Sequence, residues 1–196
     1  MNLYLDTPMS KAIFELLSQL NSEIESKLND VKVPGAVKAY IFGGCAVHIL
    51  TNARGSNDLD VEIEATTQLD IGSVVIELND VYFNDPIEGD MQLILDDTFQ
   101  IGITPVVSPD YKERAIPLCD GKQVLQVYLV NPVDIAISKL SRCAVNDVKD
   151  IVEIYKNKRF TLEEFSQACK EALEYTATPD SLRKNIDHVI MTLSSI

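Results

Sequence analysis

Residues able to build a zinc site are scarce in this chain. It holds two histidines and four cysteines, and the cysteines, at 45, 119, 143 and 169, form no Cys-x-x-Cys pair. That argues against a structural zinc centre. Basic charge is also short: 17 Lys and Arg stand against 30 Asp and Glu, a formal net charge of -13. A protein that coats long nucleic acid needs a basic face to neutralise phosphate, so that class is disfavoured. A small basic pocket on an acidic body remains compatible, and the acidity suits solubility and a basic protein partner. No apolar run reaches the length of a membrane span. The stretch MNLYLDTPMSKAIFELL lacks the basic start and unbroken apolar run of a signal peptide. Internal repeats and low-complexity tracts are missing too. The expectation is a cytoplasmic protein with reduced thiols and no membrane contact.

What the chain does have is core material. Its 196 residues are 46% hydrophobic and 24% charged, enough for one ordinary domain or two small ones. Thr7 and Pro8 read as the N-cap and first turn of a helix whose apolar stripe runs Ile13, Leu16, Leu17, Leu20, Ile24, Leu28. KAYIF reads as a short buried strand, GCAVHILTN as a helix of two or three turns, and NDLDVEIEA, alternating acid with apolar residue, as a strand. SVVIELNDVYFND, MQLILDD, FQIGITPVV and KQVLQVYLV are β-like, and SPDYKERAI reads as a short helix or turn. After NPVD the character turns helical: a hairpin over 133–142 and 147–157, a helix opened by the capping box Thr161 with Glu164, and a last helix announced by Thr178 and Pro179. The expected class is α+β: a mixed sheet flanked by helices over 1–131, then a helical subdomain over 132–196 packed on it, with a soft boundary near Asn131-Pro132.

The stretch YIFGGCAVHILTNARGSNDLDVEIE, residues 40–64, concentrates chemistry. Alternate strand residues share a face, so Asp58 and Asp60 point the same way with Leu59 and Val61 behind them. Two carboxylates that close repel, and a divalent cation removes the repulsion; such oxygen ligands suit magnesium or manganese. Gly43-Gly44 at a strand-to-helix junction leaves N–H groups bare for phosphate oxygens, and Arg54 or Ser56 adds a donor. The plainer alternatives are a solvated edge strand with acids that deter aggregation, and a tight turn at the glycines. His48, on the helix after the glycines, reads as a partly buried helix residue rather than a ligand.

These residues resemble the signature of the polymerase-β-type nucleotidyltransferase superfamily, Gly-Gly followed after a short helix by Asp-x-Asp on a strand. Arg54 and Ser56 make the stretch most similar to the abortive-infection, AbiEii-like nucleotidyltransferases of toxin–antitoxin systems. Those carry a Lys followed by an Arg, and an Asp-x-x-Asp; here KLSR supplies Lys139 and Arg142, and NDVKD supplies Asp147 and Asp150. The four motifs span 42–150. The resemblance implies an NTP substrate with Mg²⁺ or Mn²⁺ on Asp58 and Asp60, phosphate contacts from Gly43, Gly44, Arg54, Ser56 and Arg142, Lys139 as a point charge on the triphosphate, and Asp150 as a base or positioning group. It implies an acceptor that is an RNA end or a protein hydroxyl, and a cognate antitoxin or toxin partner. Read without the resemblance, Lys139, Asp147 and Asp150 are surface residues of a helix and Arg142 pairs with either acid. KNKR, 156–159, is a solvated helix end or a contact for an RNA end.

One position departs from the pattern. A third carboxylate is expected on a neighbouring strand, and FQIGITP carries Gly102 there, while Asp96 and Asp97 read as turn residues. Two functions therefore stay open: a metal-dependent nucleotidyltransferase of minimal type, and a catalytically silent interaction or antitoxin-like module.

Overall fold

The computed structural model describes residues 1–28, 32–66, 68–96 and 107–196. The chain divides into two compact units. One comprises the described residues of Tyr4–Phe99 and Ala115–Leu129 and contains the sheet; the other comprises Met1–Leu3, the described residues of Gln100–Arg114, and Val130–Ile196, and is helical.

In the sheet unit, α1 (Pro8–Lys27) starts where expected: the Thr7 side chain accepts the Ser10 N–H and Pro8 occupies the first turn. Its stripe of Met9, Ile13, Leu16, Leu17, Leu20 and Ile24 is buried. The strands are β1 (Val37–Ile41), β2 (Asp58–Ala65), β3 (Val81–Asp85), β4 (Gly89–Asp96), β5 (Ile116–Pro117) and β6 (Leu125–Leu129), in the order β3-β4-β2-β1-β6-β5. The sheet is mixed: β2 and β6 flank β1 antiparallel and parallel, and β4 runs parallel to β2. Period-two alternation gives it one apolar face, with Val37, Ala39, Ile41, Leu59, Val61 and Leu93 buried. α1 packs on the sheet unit through β3, β4 and β6, and α2 (Gly43–Thr51) packs on β2 and α1. The other face is polar and carries Tyr40 stacked on Tyr128 with ring centroids 5.2 Å apart.

Two sequence expectations change. Ser73-Val74-Val75 is not strand but part of α3 (Ile71–Val75), because Asp70 caps it by accepting the Ser73 N–H at 3.3 Å; the local cap outweighs the β-branched preference. And β2 is no edge strand. It lies between β4 and β1, so acids that guard a free edge do not explain Asp58 and Asp60. The stretch FQIGITP, with Gly102, lies outside the described residues.

In the helical unit, α4 (Tyr111–Arg114) is followed by α5 (Pro132–Leu140), α6 (Val145–Lys156), α7 (Leu162–Tyr175) and α8 (Pro179–Ser194). Asn131 caps α5, and the Thr161–Glu164 box is made in both directions. Thr178 precedes α8 but makes no side-chain capping bond. α5 packs on α6, α7 and α8 around Ile135, Leu140, Ile151, Phe165 and Ile186. The basic run 156–159 closes α6: Arg159 donates to the Asn2 carbonyl at 2.6 Å and Lys158 turns left-handed at φ 55°. Among the described residues no helix is long and apolar enough to cross a membrane.

Candidate active site

The glycine pair is explained by what lies against it. Gly43 has φ +62°, which L side chains rarely adopt, and a Cβ there would fall 1.5 Å from Asp60 Oδ2. A Cβ on Gly44 would come within 2.8 Å of Ser56 Oγ and 3.3 Å of Arg54 Nη2. The bare backbone thus makes room for three of the side chains named from the sequence. Sheet pairing fixes the same junction, since the Phe42 N–H donates to the Asp60 carbonyl at 2.9 Å. Ser56 Oγ donates to the Asp58 carbonyl at 3.0 Å, and Cys45 Sγ to the same oxygen at 3.2 Å. Burial, then the charges of Asp60 and Asp58, push the Cys45 thiol far up, so it stays protonated and is no nucleophile.

The loop carrying Arg54 and Ser56 is tied at both ends. His48 is buried in α2, with Nδ1 2.9 Å from the Arg54 carbonyl and Nε2 2.7 Å from Thr7 Oγ1. A carbonyl only accepts, so Nδ1 carries the proton that faces Arg54, while Nε2 lies against the Thr7 hydroxyl oxygen. Burial holds the His48 pKa below its ordinary value, against the Arg54 carbonyl and Asp85, which favour the charged form. The expected burial of His48 on the helix after the glycines is observed. On the far side, the Gly55 N–H donates to Glu88 Oε1 at 3.2 Å.

Asp58 is exposed and Asp60 half-buried, on one face of β2. Sequence reasoning missed a third carboxylate beside them. Asp96, read as a turn residue, is the last residue of β4 and the register partner of Asp60 in the parallel pair. The signal was present: the alternation of β4 runs through Gln92 and Ile94 to Asp96, which fixes its face. Among the described residues no three His, Cys, Asp or Glu side chains are gathered as a ready metal cage. What the site offers is carboxylates on one sheet face, Asp58 and Asp60 of β2 and Asp96 in register on β4, beside a backbone cradle that a Cβ would fill. That donor set matches a hard divalent cation which takes most of its shell from water and phosphate.

The remaining motif residues form a second cluster, in the helical unit. Lys139 of α5 is buried and lies 2.8 Å from Asp150 Oδ2 and 3.8 Å from Asp147 Oδ1. Arg142 grips Asp147 with two bonds of 2.7 Å, and Asp147 also accepts the Ala144 N–H at 3.0 Å, which starts α6. Burial works to raise the Asp147 carboxyl, but Arg142, the Ala144 N–H and Lys139 outweigh it and hold it below the usual carboxylate range. So Lys139, Arg142, Asp147 and Asp150 are brought together, and Gly43, Gly44, Arg54, Ser56, Asp58 and Asp60 are brought together, each set within its own unit.

Comparison with known proteins adds the family. No curated protein and no solved structure matches the chain. One family matches residues 11–190, nearly the whole length, and the chain belongs to it: the nucleotidyltransferases of unknown function, DUF6036.

Proposed function

We propose that the protein transfers a nucleoside monophosphate from an NTP, with Mg²⁺ or Mn²⁺, to an RNA end or a protein hydroxyl, as a cytoplasmic, AbiEii-like member of a toxin–antitoxin pair. The observation that carries this reading is the seat of Asp60 against Gly43, with Asp58 on the same face and Asp96 in register. The divalent cation, when bound, would offset phosphate charge at Asp58 and Asp60. The N–H groups at the start of α2, with Arg54 and Ser56, bind phosphate oxygens. In this reading Lys139 and Arg142 serve the triphosphate and Asp150 takes the acceptor proton. The acceptor oxygen bonds to the α-phosphorus as the bond to the β-phosphate oxygen breaks, and pyrophosphate leaves with the electron pair. Positioning and electrostatics supply most of the acceleration.

A second reading is a catalytically silent interaction or antitoxin-like module. It is favoured by the engagement of Lys139 with Asp150 and of Arg142 with Asp147, which suits a structural role for that cluster. Thermal unfolding with NTP and magnesium separates the two. An NTP at a hundred times its dissociation constant adds about 2.7 kcal/mol of stability to a binder. The Asp60→Asn protein should stay folded, lose that gain, and lose labelling by α-³²P-NTP. Labelling that survives in Asp60→Asn sinks the catalytic assignment, and no NTP effect on the wild type favours the silent module.

A further inference from the structure

The negative charge of this chain is concentrated. Residues 55–111, between Arg54 and Lys112, contain thirteen carboxylates and no Lys, Arg or His. The rest of the chain carries seventeen acids and seventeen bases, so the whole net charge of -13 belongs to that one segment. Its described part supplies β2, β3 and β4. Lys38 is the register partner of Glu64, and Arg54 stands in the glycine-facing loop at the edge of the segment.

The polar face of these strands is more than a set of acids. Tyr82 is 73% exposed and pairs with Gln92, and Ile94 is 39% exposed and pairs with Asp58. Two adjoining grooves run over this face. One, of about 450 Å³, extends from Asn57 and Ile94 to Asp90; the next, of about 610 Å³, extends from Asp90 and Gln92 to Tyr82. They form a track that begins beside Asp58, with apolar footholds at Ile94 and Tyr82 and exposed carboxylates along it.

We propose that this track is the docking surface of a basic polypeptide segment, which lies over β4 and β3 and ends with a Ser, Thr or Tyr hydroxyl at Asp58 and Asp60. Only the fate of that hydroxyl rests on the nucleotidyl-transfer reading. Charge selects the occupant. An RNA strand on this face would set its phosphates against carboxylates with no cation in the segment to release counterions. Lys and Arg side chains instead lay their aliphatic stems on Tyr82 and Ile94 and place their heads on Asp80 and Asp90. Asp80 and Asp90 already accept hydrogen bonds from Gln92 and Asn84, which hold the carboxylates in place.

The test uses the full chain and three fluorescent probes: a peptide alternating lysine with serine, one alternating glutamate with serine, and a single-stranded RNA of matching length. Anisotropy at low and moderate salt should show binding of the basic peptide alone. The double variant Asp80→Asn/Asp90→Asn should weaken it about tenfold, the loss of two exposed ion pairs, and Tyr82→Ser should weaken it further. Glu163→Gln/Glu174→Gln, which removes the same charge from the helical unit, should leave the affinity unchanged. Equal losses in the two double variants, or RNA binding at least as strong, overturns the docking surface. Magnesium-NTP stabilisation of the same proteins is read in parallel. If it is retained while peptide binding fails, the docking inference alone falls; if it is missing while site-dependent peptide binding holds, the transfer reading alone falls.

Discussion

At Gly43 two independent demands meet. The backbone is left-handed at φ +62°, and the volume a side chain would fill belongs to the Asp60 carboxylate. Gly121 isolates the first demand: its φ is +76°, yet a Cβ there would meet nothing nearer than Gln126 Nε2 at 3.6 Å. An alanine at either position costs about 1–2 kcal/mol of backbone strain. Gly43→Ala must also displace Asp60. Its predicted signature is a melting-temperature loss at least as large as that of Gly121→Ala together with loss of the magnesium-NTP shift, which Gly121→Ala keeps. Equal NTP responses in the two variants would show that the seat of Asp60 is not needed. Asp96 teaches a related lesson at this scale: one residue of strand extension turns an apparent turn acid into the register partner of Asp60.

At the scale of elements, His48 joins three pieces: the cap of α1, α2 itself, and the loop that holds Arg54. The folded chain keeps this imidazole neutral, because burial lowers its pKa from the model-compound value of 6.5. The unfolded chain therefore binds more protons than the folded one just below that value, and stability must fall as pH drops through it. Urea midpoints measured from about pH 7.5 down to about pH 5.5 should decline in the wild type and more shallowly in His48→Gln, which cannot take up that proton. Parallel slopes in the two proteins would assign the acid sensitivity to other groups. The helix starts tell how elements are read from sequence. Thr7 with Pro8 and Thr161 with Glu164 were legible because a cap is a bond between residues three apart. Thr178 looked the same and makes no such bond, and α3 hid in a β-branched run.

For the whole molecule, confinement of the net charge to residues 55–111 makes self-repulsion a local cost of folding. Raising sodium chloride from about 0.05 M to about 0.5 M shortens the screening length to a few ångströms. The melting temperature should rise with it, and the rise should shrink in Asp80→Asn/Asp90→Asn more than in Glu163→Gln/Glu174→Gln. A melting temperature that is flat or falls with salt would count against that picture. Composition, charge distribution, the apolar period of α1 and the shared face of Asp58 and Asp60 were all determined by sequence alone, because each depends on neighbours within a few positions. So was the Gly-Gly, Asp-x-Asp, Lys-Arg and Asp-x-x-Asp pattern, and the nucleotidyltransferase family of the chain spans the residues that hold it. Only the tertiary structure decided that β2 is an interior strand, that Asp96 lies in register with Asp60, that the glycines make room for Asp60, Ser56 and Arg54, and that Lys139 meets Asp150. Strand order and side-chain meetings are settled by which distant apolar surfaces bury together, and no local spacing encodes that choice.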